Sequence, residues 1–145
     1  MFKTILIATD GSEVGDKAVV QGVEVAKGLA AKLTIVKVTE MWSAVDIAGR
    51  DALTRIENYE TAASDAAKKI LANAADVAKK AGVECKTLHV PDMLPADGII
   101  DAANRIGADL IVMGSHGRRG INRLLLGSQA HNVLNQAKIT VMICR

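Results

Sequence analysis

The chain has 145 residues, half of them hydrophobic but only 2% aromatic, and carries a formal net charge of +2. That length suits one domain with one real core, and a core this poor in aromatics must be built from Ala, Val, Ile and Leu, which fits a layered α/β fold better than a sandwich of many short strands. So small a charge, on basic residues spread along the chain without an interleaved aromatic patch, argues against a nucleic-acid partner.

Phe2–Thr9 reads as a short apolar strand, closed by Asp10-Gly11-Ser12, a turn and helix-start signal. Between Val14 and Ala31, Ala18, Gly22, Val25 and Leu29, together with Val19, Val23, Ala26 and Ala30, recur at helical spacing. Leu33–Val38 is a second strand, and Glu40–Asp51 a connecting loop that holds Trp42 and Gly49. A long helix over Leu53–Ala81 carries Ala63, Ala67, Ile70, Leu71, Ala74, Ala78 and Ala81 on one stripe and stops at Gly82. Val83–Val90 is a third strand with Glu84, Lys86 and His89 among its apolar residues, ended by Pro91-Asp92. Pro95 opens a third helix, lined by Ile99, Ala103 and Ile106 and closed by Gly107. Asp109–Met113 is the fourth strand, Ser128–Gln136 the fourth helix and Ile139–Cys144 the fifth strand.

Strands that alternate with helices and are nearly all apolar imply a parallel sheet buried on both faces, a doubly wound single domain over residues 1–145. Cys85 and Cys144 lack CxxC or metal-ligand spacing and sit in apolar strand-like runs, where a free thiol behaves as a small hydrophobe. The amino-terminal apolar run is too short and too soon charged for a signal peptide, and no stretch reaches membrane-spanning length. A cytoplasmic protein without a membrane partner is expected.

The most telling motif follows the fourth strand. Gly114-Ser115-His116-Gly117 is succeeded, after nine residues, by Gly127-Ser128 at the start of a helix. Glycines let backbone approach a ligand with no Cβ in the way, and a helix start offers free N–H groups and a positive dipole end to phosphate. The Ser128 hydroxyl can cap the helix or bond a phosphate oxygen. G-x-x-G, nine residues, then G-S resembles the nucleotide-binding signature of the universal stress protein family, and Ile5-Leu6-Ile7-Ala8-Thr9-Asp10-Gly11-Ser12 resembles that family's first strand and turn. The resemblance covers essentially the whole chain. It implies the strand order 3-2-1-4-5, and the intact signature implies the ATP-binding subclass, a nucleotide-responsive regulator of stress tolerance.

In such a sheet, ligands bind beyond the carboxyl ends of the strands where the order reverses, here between the first strand, ending at Asp10, and the fourth, ending at Gly114. By the resemblance, Ala8, Asp10, Val38, Met113, Gly114, Ser115, His116, Gly117, Arg118, Gly127, Ser128 and Gln129 bind ATP with Mg²⁺, Val38 touching adenine through its backbone. Asp10 is either a ribose or Mg²⁺ ligand or a turn and cap residue; the shared crevice favours the first. His116 is either a phosphate donor or a solvated loop histidine. Arg118, Arg119 and Arg123 match phosphate chemistry, though each taken singly reads as a surface charge. Trp42, near the expected base pocket, is either a loop-packing residue, the favoured reading, or a stacking partner for adenine, and His131 reads as a packing or cap-related residue rather than a catalytic one. No catalytic set is assigned.

The chain lacks G-x-x-x-x-G-K-[ST], a G-x-G-x-x-G turn, the S-G-G-x-D-S loop of ATP pyrophosphatases and the clustered acids of a receiver domain. Asp109 begins its strand and so points away from the crevice. Two rivals remain: a slow ATPase or phosphotransferase using Asp10 and His116, and a partner-binding module without nucleotide, its protein partner unidentified. The fifth strand has no charge before Arg145 and no following helix to cover it, so a homodimer through residues 139–144 is expected.

Overall fold

The computed structural model describes residues 1–42, 51–117 and 125–145. Part of the expected connecting loop, and Arg118, Arg119 and Arg123, lie outside them. The elements are β1 (Thr4–Ala8), α1 (Glu13–Leu29), β2 (Lys32–Val38), α2 (Ala52–Lys80), β3 (Cys85–Val90), α3 (Pro95–Ile106), β4 (Leu110–Gly114), α4 (Ser128–Gln136) and β5 (Thr140–Cys144). The strands form one sheet in the order β3-β2-β1-β4-β5. Every pair is parallel, with Ile5 of β1 opposite Leu33 of β2 and Leu110 of β4.

The period-two geometry of strands divides the apolar residues between two layers. Ile5, Ile7, Leu33, Ile35, Leu110 and Val112 face Ala18, Val19 and Val23 of α1 and Leu71, Ala74 and Ala78 of α2. Their neighbours Leu6, Ala8, Val36, Val38, Ile111 and Met113 face Ala96, Ile99 and Ala103 of α3 and Ala130 and Val133 of α4. Small helix residues, mostly Ala, let the helices lie close on a β-branched sheet. Among the described residues no helix is long and apolar enough to cross a membrane.

Element ends depart from the sequence-based expectation where backbone hydrogen bonds reassign a residue. The Ser12 side chain accepts from the Gly15 N–H, so α1 begins at Glu13 rather than Val14. It ends at Leu29 rather than Ala31, because Ala30 adopts a left-handed conformation (φ 51°). β3 begins at Cys85 rather than Val83, since the Val83 N–H donates to the Ala78 carbonyl at 2.9 Å and serves the end of α2. β5 likewise starts one residue later than expected. Burial pushes both thiols, Cys85 and Cys144, above their ordinary range, in keeping with unreactive core cysteines.

Asp109 closes the far end of the sheet from the glycine loop. Its carboxylate accepts from the Lys3 N–H at 2.8 Å and the Thr4 N–H at 3.1 Å. These bonds, that of Lys3 foremost, hold its carboxyl below the usual aspartate range. A carboxyl whose pKa is depressed by folding stabilises the fold above its unfolded pKa and loses that contribution as pH falls through the folded value. Asp109→Ala is therefore expected to lower the melting temperature at pH 7. The gap from the unmodified chain should narrow as thermal melts are taken below about pH 4.

Candidate functional site

At the carboxyl edge of the sheet, β1 gives way to a turn built from its own side chains. The buried Thr9 accepts from the Gly11 N–H through Oγ1 at 3.2 Å, and Asp10 accepts from the Ser12 N–H through Oδ1 at 3.0 Å. Gly11 takes a φ of 76°, which a side chain would strain. Asp10 thus does serve the turn, while Ser12 supplies the helix cap. The other Asp10 oxygen is aimed elsewhere: a Cβ added at Gly117 would lie 2.6 Å from Oδ2. The carboxylate faces the loop that follows β4, so the ends of β1 and β4 share one crevice.

That loop is drawn tight by backbone bonds. The Ser115 N–H donates to the Cys144 carbonyl at 2.7 Å, and the Ser115 carbonyl accepts from the Gly127 N–H at 2.7 Å. The start of α4 is thereby pinned against Ser115 and His116. A Cβ at Gly127 would come within 2.9 Å of both His116 Cα and the Ser115 carbonyl oxygen, and one at Gly114 within 2.8 Å of Val14 Cγ1. Gly127 has φ −61° and ψ 154°, ordinary values for any residue. Neither Gly114, Gly117 nor Gly127 has a positive φ. Gly127 is required for close approach of backbone rather than for a sharp turn, while Gly114 and Gly117 sit against the side chains of Val14 and Asp10.

Gly127 is the N-cap of α4 and makes no side-chain cap bond, so Ser128 is the first helical residue and not the cap foreseen as one of its roles. With the Gly127 N–H spent on Ser115, the Ser128, Gln129 and Ala130 N–H groups remain as the first-turn donors without an intrahelical acceptor. Buried Ser115 and half-buried His116 pair through Oγ and Nδ1 at 2.9 Å. Ala8 and Met113, opposite each other in the sheet and both buried, lie side by side at the ends of their strands.

On the β2 side, Val38 is buried and its carbonyl accepts from Lys37 Nζ at 2.7 Å. Thr39 Oγ1 pairs with His89 Nε2 at 2.8 Å. Burial, then the Lys37 charge, hold His89 below the usual histidine range. Trp42 is half-buried beyond the end of β2, and His131 is exposed on α4. Of the proposed ligand residues only Arg118 lies outside the described region.

Several participants escaped the sequence reading. Thr9, Lys37, Thr39 and His89 flank the strand ends, and nothing in their spacing sets them apart from strand residues. The Gln129 side chain turns toward α3, where Oε1 accepts from the Ala96 N–H at 3.2 Å. Among the described residues no group of three or more His, Cys, Asp or Glu side chains is placed to hold a metal. A separate groove of about 420 Å³ runs between α1 and α2, lined by Gly11, Asp16, Val19, Lys69, Ile70 and Asn73 among others. It takes in none of the signature glycines.

The comparisons with known proteins agree with this frame. Universal stress protein YxiE of Bacillus subtilis is 32% identical over 159 residues, spanning 100% of both chains. The universal stress protein UspA structure from Lactobacillus plantarum superposes with a TM-score of 0.84 at 25% identity, covering 99% of this chain and 97% of that one. A universal stress protein solved in complex with cAMP gives a TM-score of 0.74 at 30% identity, covering 99% and 97%. The sequence model of the universal stress protein family matches residues 1–145. By that match, and by its likeness to YxiE over the whole of both chains, the chain belongs to the universal stress protein family.

Proposed function

We infer that this chain is an ATP-binding universal stress protein, a cytoplasmic nucleotide-responsive regulator that works as a homodimer. The observation that carries the reading is the approach of Gly127 to Ser115 and His116, too close for any Cβ, which sets the free donors of the α4 start beside the glycine loop. Such an array suits the phosphate groups of a nucleotide. A relative 30% identical in sequence was solved with cAMP, which supports an adenine nucleotide as the ligand class. In this reading Ala8, Met113 and Val38 floor the crevice. Gly114, Ser115, His116, Gly117, Arg118, Gly127, Ser128 and Gln129 surround the phosphates, and Asp10 takes ribose or metal.

The residues fit a phosphate-borne Mg²⁺. That ion is commonly held by one or two carboxylates plus substrate phosphates, keeping several waters. Asp10 Oδ2, directed at Gly117, is a carboxylate oxygen in the right neighbourhood. When bound, Mg²⁺ would neutralise phosphate charge; the chain's own part is to orient the phosphates with backbone N–H groups. The unreactive thiols suit a reducing compartment such as the cytoplasm.

Rapid hydrolysis is not expected. Ser115 Oγ and His116 Nδ1 are engaged with each other, a pairing that supplies no carboxylate to make His116 a base for attacking water. Turnover of MgATP in a phosphate-release assay should fall far below the roughly one per second of ordinary enzymes. Turnover at that rate, lost in Asp10→Ala with binding retained, would establish the enzyme reading instead. The binding reading is tested by mass spectrometry of protein purified without added nucleotide. A carried-over adenine nucleotide supports it; nucleotide-free protein that also ignores added ATP refutes it.

A further inference from the structure

The first turn of α3 lacks the cap its sequence ought to supply. Leu94 is the N-cap residue and has no side-chain acceptor, while Pro95 at the first helical position has no N–H. The next donor, the Ala96 N–H, is 98% shielded by residue and is satisfied from a different helix, by Gln129 Oε1 at 3.2 Å across 33 residues of sequence. Gln129 is the second residue of α4, two positions after Gly127. The same first turn presses on β2 from its other side. A Cβ at Gly98 would lie 2.6 Å and 2.8 Å from the two Val38 methyls, and the Met93 N–H donates to the Thr39 carbonyl at 3.3 Å.

The first turn of α3 is therefore wedged between the start of α4 and the carboxyl end of β2, on opposite sides of the crevice. We propose that Gln129 is a positioning residue: its side chain, by capping α3, sets the placement of Val38 and Thr39 and so couples the phosphate side of the crevice to its β2 side. This deepens the nucleotide reading and rests on it for the ligand. A shift of α4 at the phosphate side would pass through the α3 cap to the close approach of Gly98 and Val38, because close-packed groups transmit small shifts.

The test uses the full chain, labelled for amide resonances. Gln129→Ala is expected to speed exchange of the Ala96 amide about fivefold, the worth of one net hydrogen bond, and to shift the Val38 and Thr39 resonances. Gln129→Asn, one methylene too short to reach, should act in the same way. Gln129→Glu should restore all three signals, since a carboxylate also accepts from the Ala96 N–H and is favoured at a helix start. Adenosine, a probe without phosphate, should bind Gln129→Ala about fivefold more weakly than it binds the unmodified chain. A role confined to α4 would leave adenosine affinity and the Val38 and Thr39 resonances unmoved, and that result overturns the proposal. If the unmodified chain binds MgATP but no adenosine, the Val38 and Thr39 resonances alone decide the coupling; if it binds neither, the nucleotide reading itself fails.

Discussion

Gly127→Val is expected to weaken MgATP binding by at least about a hundredfold, roughly 3 kcal/mol. The new Cβ would sit 2.9 Å from both His116 Cα and the Ser115 carbonyl oxygen. These are backbone atoms and cannot swing aside as a side chain can. Either α4 retreats, breaking the 2.7 Å bond from the Gly127 N–H to Ser115, or the glycine loop is displaced. Both outcomes scatter the first-turn donors that the phosphates need. Overpacking of this kind also costs stability, by about 1–3 kcal/mol. Gly117→Val should be the milder variant, because its Cβ meets Asp10 Oδ2, a side-chain atom that can rotate away. Gly28→Ala is the control: it lies in exposed helix with nothing within 4 Å. It should gain about 1 kcal/mol in helix propensity and bind normally. Calorimetry on the three variants separates loss of the cradle from general loss of glycine.

Val141→Lys is expected to convert a homodimer into a monomer. β3 and β5 are the sheet edges. β3 exposes Glu84 beside it and Lys86 within it, which discourages edge-to-edge pairing. β5 pairs with β4 on one side, and Val141, Met142 and Ile143 remain half-buried in the isolated chain. An apolar edge of this kind is covered most simply by a second copy, and a twofold axis makes that pairing antiparallel and self-complementary. A lysine at position 141 places two like charges across the axis. Because Val141 also packs on the α3 and α4 layer, Thr140→Lys at the exposed start of the strand serves as the companion variant, with circular dichroism to confirm folding. Light scattering at micromolar concentration should give twice the chain mass for the unmodified protein and move toward one chain mass for both variants. A monomeric unmodified protein would contradict the proposed dimer.

The alternation of apolar strands with small-residue helices made the two-layer architecture readable, because burial on both faces leaves no polar alternation in Ile5–Ala8 or Leu110–Met113. Strand order was another matter. Periodicity says nothing of it, and the family resemblance supplied 3-2-1-4-5. The glycine motif stood out in the sequence, but the reason for its glycines did not: a sequence names Gly127 without saying whether its φ or its missing Cβ is needed, and the structure answers with the second. Least readable were bonds between side chains and distant backbone. The acceptor for Ala96 comes from Gln129, on another helix, and Lys37 reaches the carbonyl of its own neighbour Val38. Local cap rules look only a few residues ahead, so they reach Pro95 as a helix opener but not Gln129 as its cap.

The central claim is that the crevice between Asp10 and Gly117 binds one adenine nucleotide per chain, held chiefly by the backbone of the glycine loop and the start of α4. Calorimetric titration of nucleotide-stripped protein with MgATP tests it most directly. Saturable binding at one nucleotide per chain, absent in Gly127→Val and retained in Gly28→Ala, is the predicted result. A folded, stripped protein that shows no saturable binding up to about 1 mM MgATP, weaker than about −4 kcal/mol, or that binds equally well with valine at position 127, would contradict it.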